Sequence, residues 1–158
     1  MSENCSLIFV SPDSLYKEDD KEDGEILGDI WLEVAGFAFP EKHWHDSVII
    51  LGEWLETLFK VWSEQKTRGE CYFFDFEYSF EVSAEGGAFI LRCFRKPLSV
   101  RDCRWEGTID LTALLRQALE AAAAIIEEYQ RRGWARANIE DWETRWIYLD
   151  GVLNPQSA

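Results

Sequence analysis

Residues 71–82, with the sequence CYFFDFEYSFEV, alternate apolar and polar side chains at a period of two. Successive side chains of a β-strand point to opposite faces, so this period predicts one strand with a core face and a water face. The apolar face would carry Phe74, Phe76, Tyr78, Phe80 and Val82. The water face would carry Asp75, Glu77, Ser79 and Glu81.

The residues after this stretch predict a hairpin. Gly86 and Gly87 permit a tight turn, and residues 88–94 (AFILRCF) form an apolar run that can return as the partner strand. Residues 96–109 are expected to add a third, more irregular strand, with Pro97 at an edge or a bulge.

A further strand is predicted upstream, within residues 26–40 (ILGDIWLEVAGFAFP), where Pro40 ends the pattern. Ile30, Leu32 and Val34 would point to the core. Asp29, Trp31 and Glu33 would point to the other face. Residues 5–11 (CSLIFVS) predict a short strand before it.

Two long helices and one short helix are predicted from periods of three and four. The first starts at Trp44 and runs for about five turns to Trp62. The second spans residues 111–132, with Asp110 as its N-cap and Gly133 as its stop. The third is short and lies near the C-terminus, where Trp142, Trp146 and Leu149 recur at four and three residues.

These elements predict an α+β fold, since strands and helices do not alternate regularly. We expect one antiparallel sheet of four to five strands, two long helices packed on one face of it, and the short C-terminal helix. With 158 residues, the chain is the size of a single domain. Residues 13–25 hold seven acids and two lysines, and they predict a solvated acidic loop.

The net charge of −14 disfavours nucleic acid as a partner and favours a basic protein. The four cysteines form no C-x-x-C pair, and their positions indicate reduced, structural thiols. The N-terminus lacks the cationic region of a secretory signal, and no apolar segment approaches the roughly 20 residues of a membrane span. We therefore expect a cytoplasmic protein with no membrane association and no cofactor.

The acidic strand faces are the predicted partner-binding surface, formed by Asp29, Trp31, Glu33, Asp75, Glu77 and Glu81. An exposed tryptophan among charged residues is typical of an interface anchor. A solvated face without a partner is the simpler alternative. Catalysis by paired carboxylates would require two different environments, which the sequence does not indicate.

Both histidines lie near Asp46, so His43, His45 and Asp46 are the candidates for a metal or catalytic site. On a helix, residues two apart diverge, and His43 and His45 converge only if the segment is extended. We interpret the segment as the entrance of the first helix, with Asp46 favoured by the helix dipole. A basic cluster at residues 92–104 is expected to pair with the chain's own carboxylates.

The chain resembles the small, acidic, Trp-rich immunity proteins of bacterial polymorphic toxin systems. The resembling segments are FAFPEKHWHD (37–46), LGEWLETLFKVW (51–62), YFFDFEYSF (72–80) and QRRGW (130–134). The resemblance implies a non-enzymatic protein that binds and blocks a toxin domain, and the net charge favours a basic toxin, such as a nuclease. A small metal-dependent hydrolase using His43, His45 and Asp46 is one alternative, and a homo-oligomeric module such as a homodimer is another.

Overall fold

The computed structural model describes residues 6–17, 26–74, 77–96, 100–134 and 137–153. Within them the fold is α+β, with antiparallel strand pairs and three α-helices. The strands are β1 (Ser6–Val10), β2 (Tyr16–Lys17), β3 (Ile26–Val34), β4 (Phe37–Phe39), β5 (His45–Ser47), β6 (Arg68–Tyr72), β7 (Tyr78–Glu85), β8 (Ala88–Arg95) and β9 (Asp102–Ile109). The helices are α1 (Ile50–Trp62), α2 (Leu111–Arg132) and α3 (Ala137–Leu153).

The strands form two sheets, whereas the sequence predicted one. In the five-stranded sheet, β3 pairs with β1, β2, β4 and β5. The four-stranded sheet has the order β6-β7-β8-β9. The β7–β8 hairpin and the irregular third strand are confirmed, with a register shift between Cys93 and Phe94.

The single strand predicted over residues 71–82 is wrong, because the chain reverses inside this stretch. Cys71 of β6 pairs with Phe80 of β7, and the Phe73 amide donates to the Tyr78 carbonyl at 3.0 Å. Phe74, expected in the core, is 60% exposed. The apolar alternation continues through the reversal, so a two-residue period cannot distinguish a hairpin from one long strand.

The first helix starts at Ile50, and the histidine segment before it is extended. The hydrogen bonds of Asp46 explain why the helix starts later than predicted. The buried Asp46 carboxylate accepts hydrogen bonds from Trp44 Nε1 at 3.0 Å, the Ser47 amide at 2.7 Å and the Phe74 amide at 3.1 Å. The Phe74 bond comes from the β6–β7 connection, so Asp46 joins the two sheets instead of starting a helix.

The predicted ends of α2 are confirmed. Asp110 Oδ1 accepts from the Ala113 amide at 3.1 Å, and Gly133 has a φ of 67°, in the left-handed region that favours glycine.

The C-terminal helix α3 was predicted to be short, but it has 17 residues and is longer than α1, which has 13.

A shared core joins both sheets and the helices. Leu58 and Val61 of α1, Phe80 and Leu91 of the four-stranded sheet, and Leu32 of the five-stranded sheet belong to one cluster of buried side chains. Helix α1 lies against β6 and β7, α2 against β1 and α1, and α3 against α2. In the described part of the chain, no helix has both the length and the apolarity needed to cross a membrane.

Candidate functional site

The acidic face of the four-stranded sheet is engaged by the chain's own cations. Glu77 Oε1 lies 3.0 Å from Arg95 Nε, and Glu81 Oε2 lies 3.4 Å from Arg101 Nη2. Glu81 is 8% exposed. Asp75 lies outside the described residues. The prediction of an open acidic face is therefore wrong for Glu81, whereas Glu77 is paired with Arg95 and keeps 37% of its side chain exposed.

A row of register partners crosses this face, from Glu70 to Glu81 to Arg92 to Glu106. Lys96 Nζ donates to Glu70 at 2.8 Å, and Arg101 Nη2 binds Glu70 at 3.0 Å. Burial alone would raise the pKa of Glu70. Hydrogen bonds from Lys96 and Tyr72 and the charges of Lys96 and Arg101 together lower that pKa below its ordinary value.

The predicted internal pairing of the basic cluster is confirmed. Each of its cations has a carboxylate partner: Arg92 with Glu85, Arg95 with Glu77, Lys96 with Glu70, Arg101 with Glu70, and Arg104 with Asp102. The Arg92 bond lowers the pKa of Glu85 to about 2. Residues 68–109 hold seven acids and six bases, so they contribute little to the charge of −14. Residues 1–67 hold fifteen acids and five bases.

The predicted partner-binding residues Trp31 and Glu33 of β3 differ in their exposure to solvent. Trp31 is 7% exposed, and its ring lies against the His43 ring with 4.7 Å between centroids. The expectation of an exposed Trp31 anchor is wrong, because the loop before β5 packs over it. Glu33 lies 3.9 Å from Lys42 and keeps 23% of its side chain exposed.

The two histidines converge on Asp29, not on Asp46. His43 Nδ1 lies 3.1 Å from Asp29 Oδ2, and His45 Nδ1 lies 3.3 Å from Asp29 Oδ1. His45 Nε2 is also 2.9 Å from the Tyr16 hydroxyl. The extended backbone makes this convergence possible, since β5 places His45 opposite Asp29. No group of three or more His, Cys, Asp or Glu side chains suited to hold a metal occurs among the described residues.

An apolar groove lies between α1 and α3, with a volume of about 240 Å³. Its lining residues are Gly52, Leu55, Glu56, Phe59, Ala122, Arg145, Tyr148 and Leu149. Glu56 and Arg145 form an ion pair of 3.6 Å at the groove. The Tyr148 ring packs edge-on against Phe59, with 6.1 Å between centroids.

Three apolar side chains of α3 are exposed: Tyr148, which lines the groove, by 62%, and Ile147 and Val152 on the same helix by 64% and 37%. These residues were not predicted from the sequence, because the prediction rested on the stripe through Trp142, Trp146 and Leu149. The sequence does contain an indication of them, since Ile147, Tyr148 and Val152 are apolar residues outside that stripe. Exposed apolar side chains around a groove are typical of an interaction surface.

A polar hollow of about 340 Å³ lies at the β6 edge of the four-stranded sheet. Lys66 and Arg68 line it together with the Glu70 and Glu81 network. Lys96 and Arg101 in its lining are bound to Glu70 and Glu81, so these charges are already neutralised within the chain.

In comparisons with known proteins, the chain matches no family model, no curated protein and no solved structure.

Proposed function

We propose that this chain is a non-enzymatic protein-binding domain whose partner is a basic protein, and that the groove between α1 and α3 receives that partner. One observation carries the proposal: the apolar groove is lined by the exposed Tyr148, which lies one turn from the exposed Val152 on α3, in a chain with a net charge of −14. An apolar centre surrounded by polar residues is the usual anatomy of a protein interface.

Tyr148 is the expected anchor of the interface. Its ring lines the groove, contacts Phe59 and remains 62% exposed, so a partner side chain can cover it. Tyrosine combines a large apolar surface with a hydroxyl group, and it is enriched among the residues that dominate binding energy. Ile147 and Val152 extend the same apolar surface along α3.

The charge distribution supports a basic partner. Ten of the fourteen excess negative charges fall in residues 1–67, and six of these ten lie in residues 1–5 and 18–25, outside the described part of the chain. Glu53 and Glu56 are exposed on α1. Negative potential around an apolar patch speeds encounter with a positively charged partner and disfavours acidic competitors.

The specific form of the proposal is an immunity protein that neutralises a basic toxin domain. The compositional resemblance and the net charge support this form. Asp29, Glu33, Glu77 and Glu81 then contribute to the field around the protein and not to direct contacts, since each already has an internal partner.

The test identifies the genes next to the one that encodes this chain, purifies any basic protein that they encode, and measures its binding to this chain by calorimetry. We expect a one-to-one complex that Tyr148→Ala weakens by roughly tenfold or more. Val100→Ala is the matched control, because Val100 is 65% exposed and precedes β9, away from the groove. An equal loss of affinity in both variants, or no complex with a basic protein encoded by a neighbouring gene, would contradict the proposal.

Self-association must be separated from partner binding, because a second copy can also cover the apolar face of α3. Sedimentation at several protein concentrations distinguishes the two. A monomer over the whole range is expected, since two chains of charge −14 repel each other. A dimer that Tyr148→Ala dissociates would show that the groove serves a second copy instead.

A further inference from the structure

Asp29, His45 and Tyr16 form a continuous chain of hydrogen bonds on the five-stranded sheet. Asp29 Oδ1 lies 3.3 Å from His45 Nδ1, and His45 Nε2 lies 2.9 Å from the Tyr16 hydroxyl. Carboxylate, imidazole and hydroxyl therefore follow one another in the order used by enzymes that activate a hydroxyl nucleophile.

The register of three strands holds these residues on one side of the sheet. Strand β3 lies between β2 and β5, with Tyr16 opposite Leu27 and His45 opposite Asp29. Leu27 and Asp29 are two residues apart, so they occupy the same face of β3. The Tyr16 and His45 rings are nearly parallel, with an interplanar angle of 12°.

Asp29 is itself held in place. Its amide donates to Ser14 Oγ at 2.8 Å, and its second carboxylate oxygen is bound by His43 Nδ1 at 3.1 Å. His43 has a φ of 59°, which is uncommon for a residue other than glycine. The loop thus adopts an unusual conformation in which both histidines bind one carboxylate.

This arrangement selects the histidine tautomer. With Asp29 accepting from Nδ1–H, neutral His45 carries its lone pair on Nε2, facing the tyrosine hydroxyl. Tyr16 is 45% exposed, so an electrophile can reach its oxygen. The hydroxyl of Tyr16 thus faces a histidine, whereas that of Tyr72 donates to Glu70.

We propose that Tyr16 is a nucleophilic modification site for activated acyl donors, with His45 as general base and Asp29 as the residue that positions it. The Tyr16 oxygen forms a bond to the acyl carbon, the bond from that carbon to the leaving group breaks, and the phenolic proton moves to His45 Nε2. The product is an acylated Tyr16 and a released leaving group. No oxidant or second reactant is required.

The intact protein is treated with 4-nitrophenyl acetate as the probe. Peptide mapping by mass spectrometry then identifies the acetylated tyrosines. Tyr148 is the internal reference, because it is 62% exposed. We expect Tyr16 to be acetylated at least about tenfold faster than Tyr148, since general-base catalysis contributes roughly a hundredfold or more. His45→Gln should reduce this ratio to about one, given the loss of the base.

Lys42→Gln is the matched control, because Lys42 is an exposed residue of the same loop and pairs with Glu33 instead of Asp29. It should keep most of the rate. Asp29→Asn should lower the rate and Asp29→Glu should restore part of it, which a purely structural role would not produce. Circular dichroism checks that each variant is folded. Equal labelling of Tyr16 and Tyr148 in the wild-type protein, or an unchanged ratio in His45→Gln, would overturn the proposal.

Discussion

Asp46 connects two parts of the molecule that are far apart in sequence. Its carboxylate binds Trp44 Nε1 within its own segment and the Phe74 amide 28 residues later. The sequence analysis interpreted Asp46 as a helix-starting residue because a short-range pattern contains no information about Phe74. The long-range hydrogen bond outweighs the local preference for an acid in the first turn of a helix.

Replacing Asp46 by alanine leaves three hydrogen-bond donors without their acceptor. We expect Asp46→Ala to lower the free energy of unfolding by about 2–4 kcal/mol, because each buried donor loses its partner. Asp13→Ala is the control, since Asp13 is exposed and should change stability by less than about 0.5 kcal/mol. Urea denaturation measures both. Equal midpoints for the two variants would refute the structural role of Asp46.

Glu70 should make the stability of the protein depend on acidity. Its pKa is lowered in the folded chain, so the folded state binds fewer protons than the unfolded state around the ordinary value of 4.5. The stabilisation is present above the unfolded pKa and is lost as pH falls through the lower, folded pKa. As the pH falls from 6 to 3, the free energy of unfolding should therefore decrease less for Glu70→Gln than for the wild-type protein.

The matched control for Glu70 is Glu120→Gln, on the exposed side of α2. Its unfolding free energy should follow the wild-type curve over the same pH range. Parallel curves for Glu70→Gln and the wild-type protein would show that the Lys96 and Arg101 contacts do not stabilise the folded state through this carboxylate.

Elements with strong local signals were predicted well, and those that depend on distant contacts were not. Helix α2 has both caps in its own sequence, and the β7–β8 turn has Gly86 and Gly87 at positive φ. The division into two sheets has no comparable local signal. It depends on the reversal after Phe73 and on the pairing of β5 with β3, which bring together residues far apart in the chain.

The contact between α1 and β6 is close at Gly69. A Cβ atom there would lie 2.5 Å from Thr57 Cγ2 and 3.2 Å from Val61 Cγ2. We expect Gly69→Ala to lower the free energy of unfolding by about 1–3 kcal/mol, because α1 must shift to accommodate the methyl group. Thermal denaturation measures this change.

Gly151→Ala in α3 is the control for Gly69. No atom lies within 4 Å of the position that its Cβ would take. Alanine is a better helix former than glycine, so this variant should gain up to about 1 kcal/mol. A gain for Gly69→Ala as well would mean that α1 does not pack against β6 as closely as described.

At the scale of the whole molecule, the net charge is distributed unevenly along the sequence. The four-stranded sheet neutralises its own charges, while the excess negative charge lies mainly in residues 1–67. Among the described residues, three of the exposed large apolar side chains, Ile147, Tyr148 and Val152, lie together on α3. Composition alone predicted an acidic binding protein, but the location of its surface depends on ion pairs such as Glu81–Arg92, which follow from register and cannot be derived from local patterns.

This charge distribution predicts how fast a basic partner associates. We expect the association rate to fall steeply as ionic strength rises, since the Debye length shortens from about 10 Å at 0.1 M salt to about 3 Å at 1 M. Glu53→Lys with Glu56→Lys should slow association more than Glu120→Lys with Glu127→Lys, an exposed pair on α2. Stopped-flow fluorescence measures these rates. Identical salt dependence in both double variants would show that α1 does not guide the encounter.

Hydrogen exchange of the complex with its basic partner locates the binding surface most directly. Bound protein is expected to gain protection in residues 50–62 and 144–153, which border the groove, and to exchange unchanged in the self-neutralised strands β7 and β8. Protection confined to β7 and β8, with α1 and α3 unaffected, would contradict the assignment of the groove as the binding site.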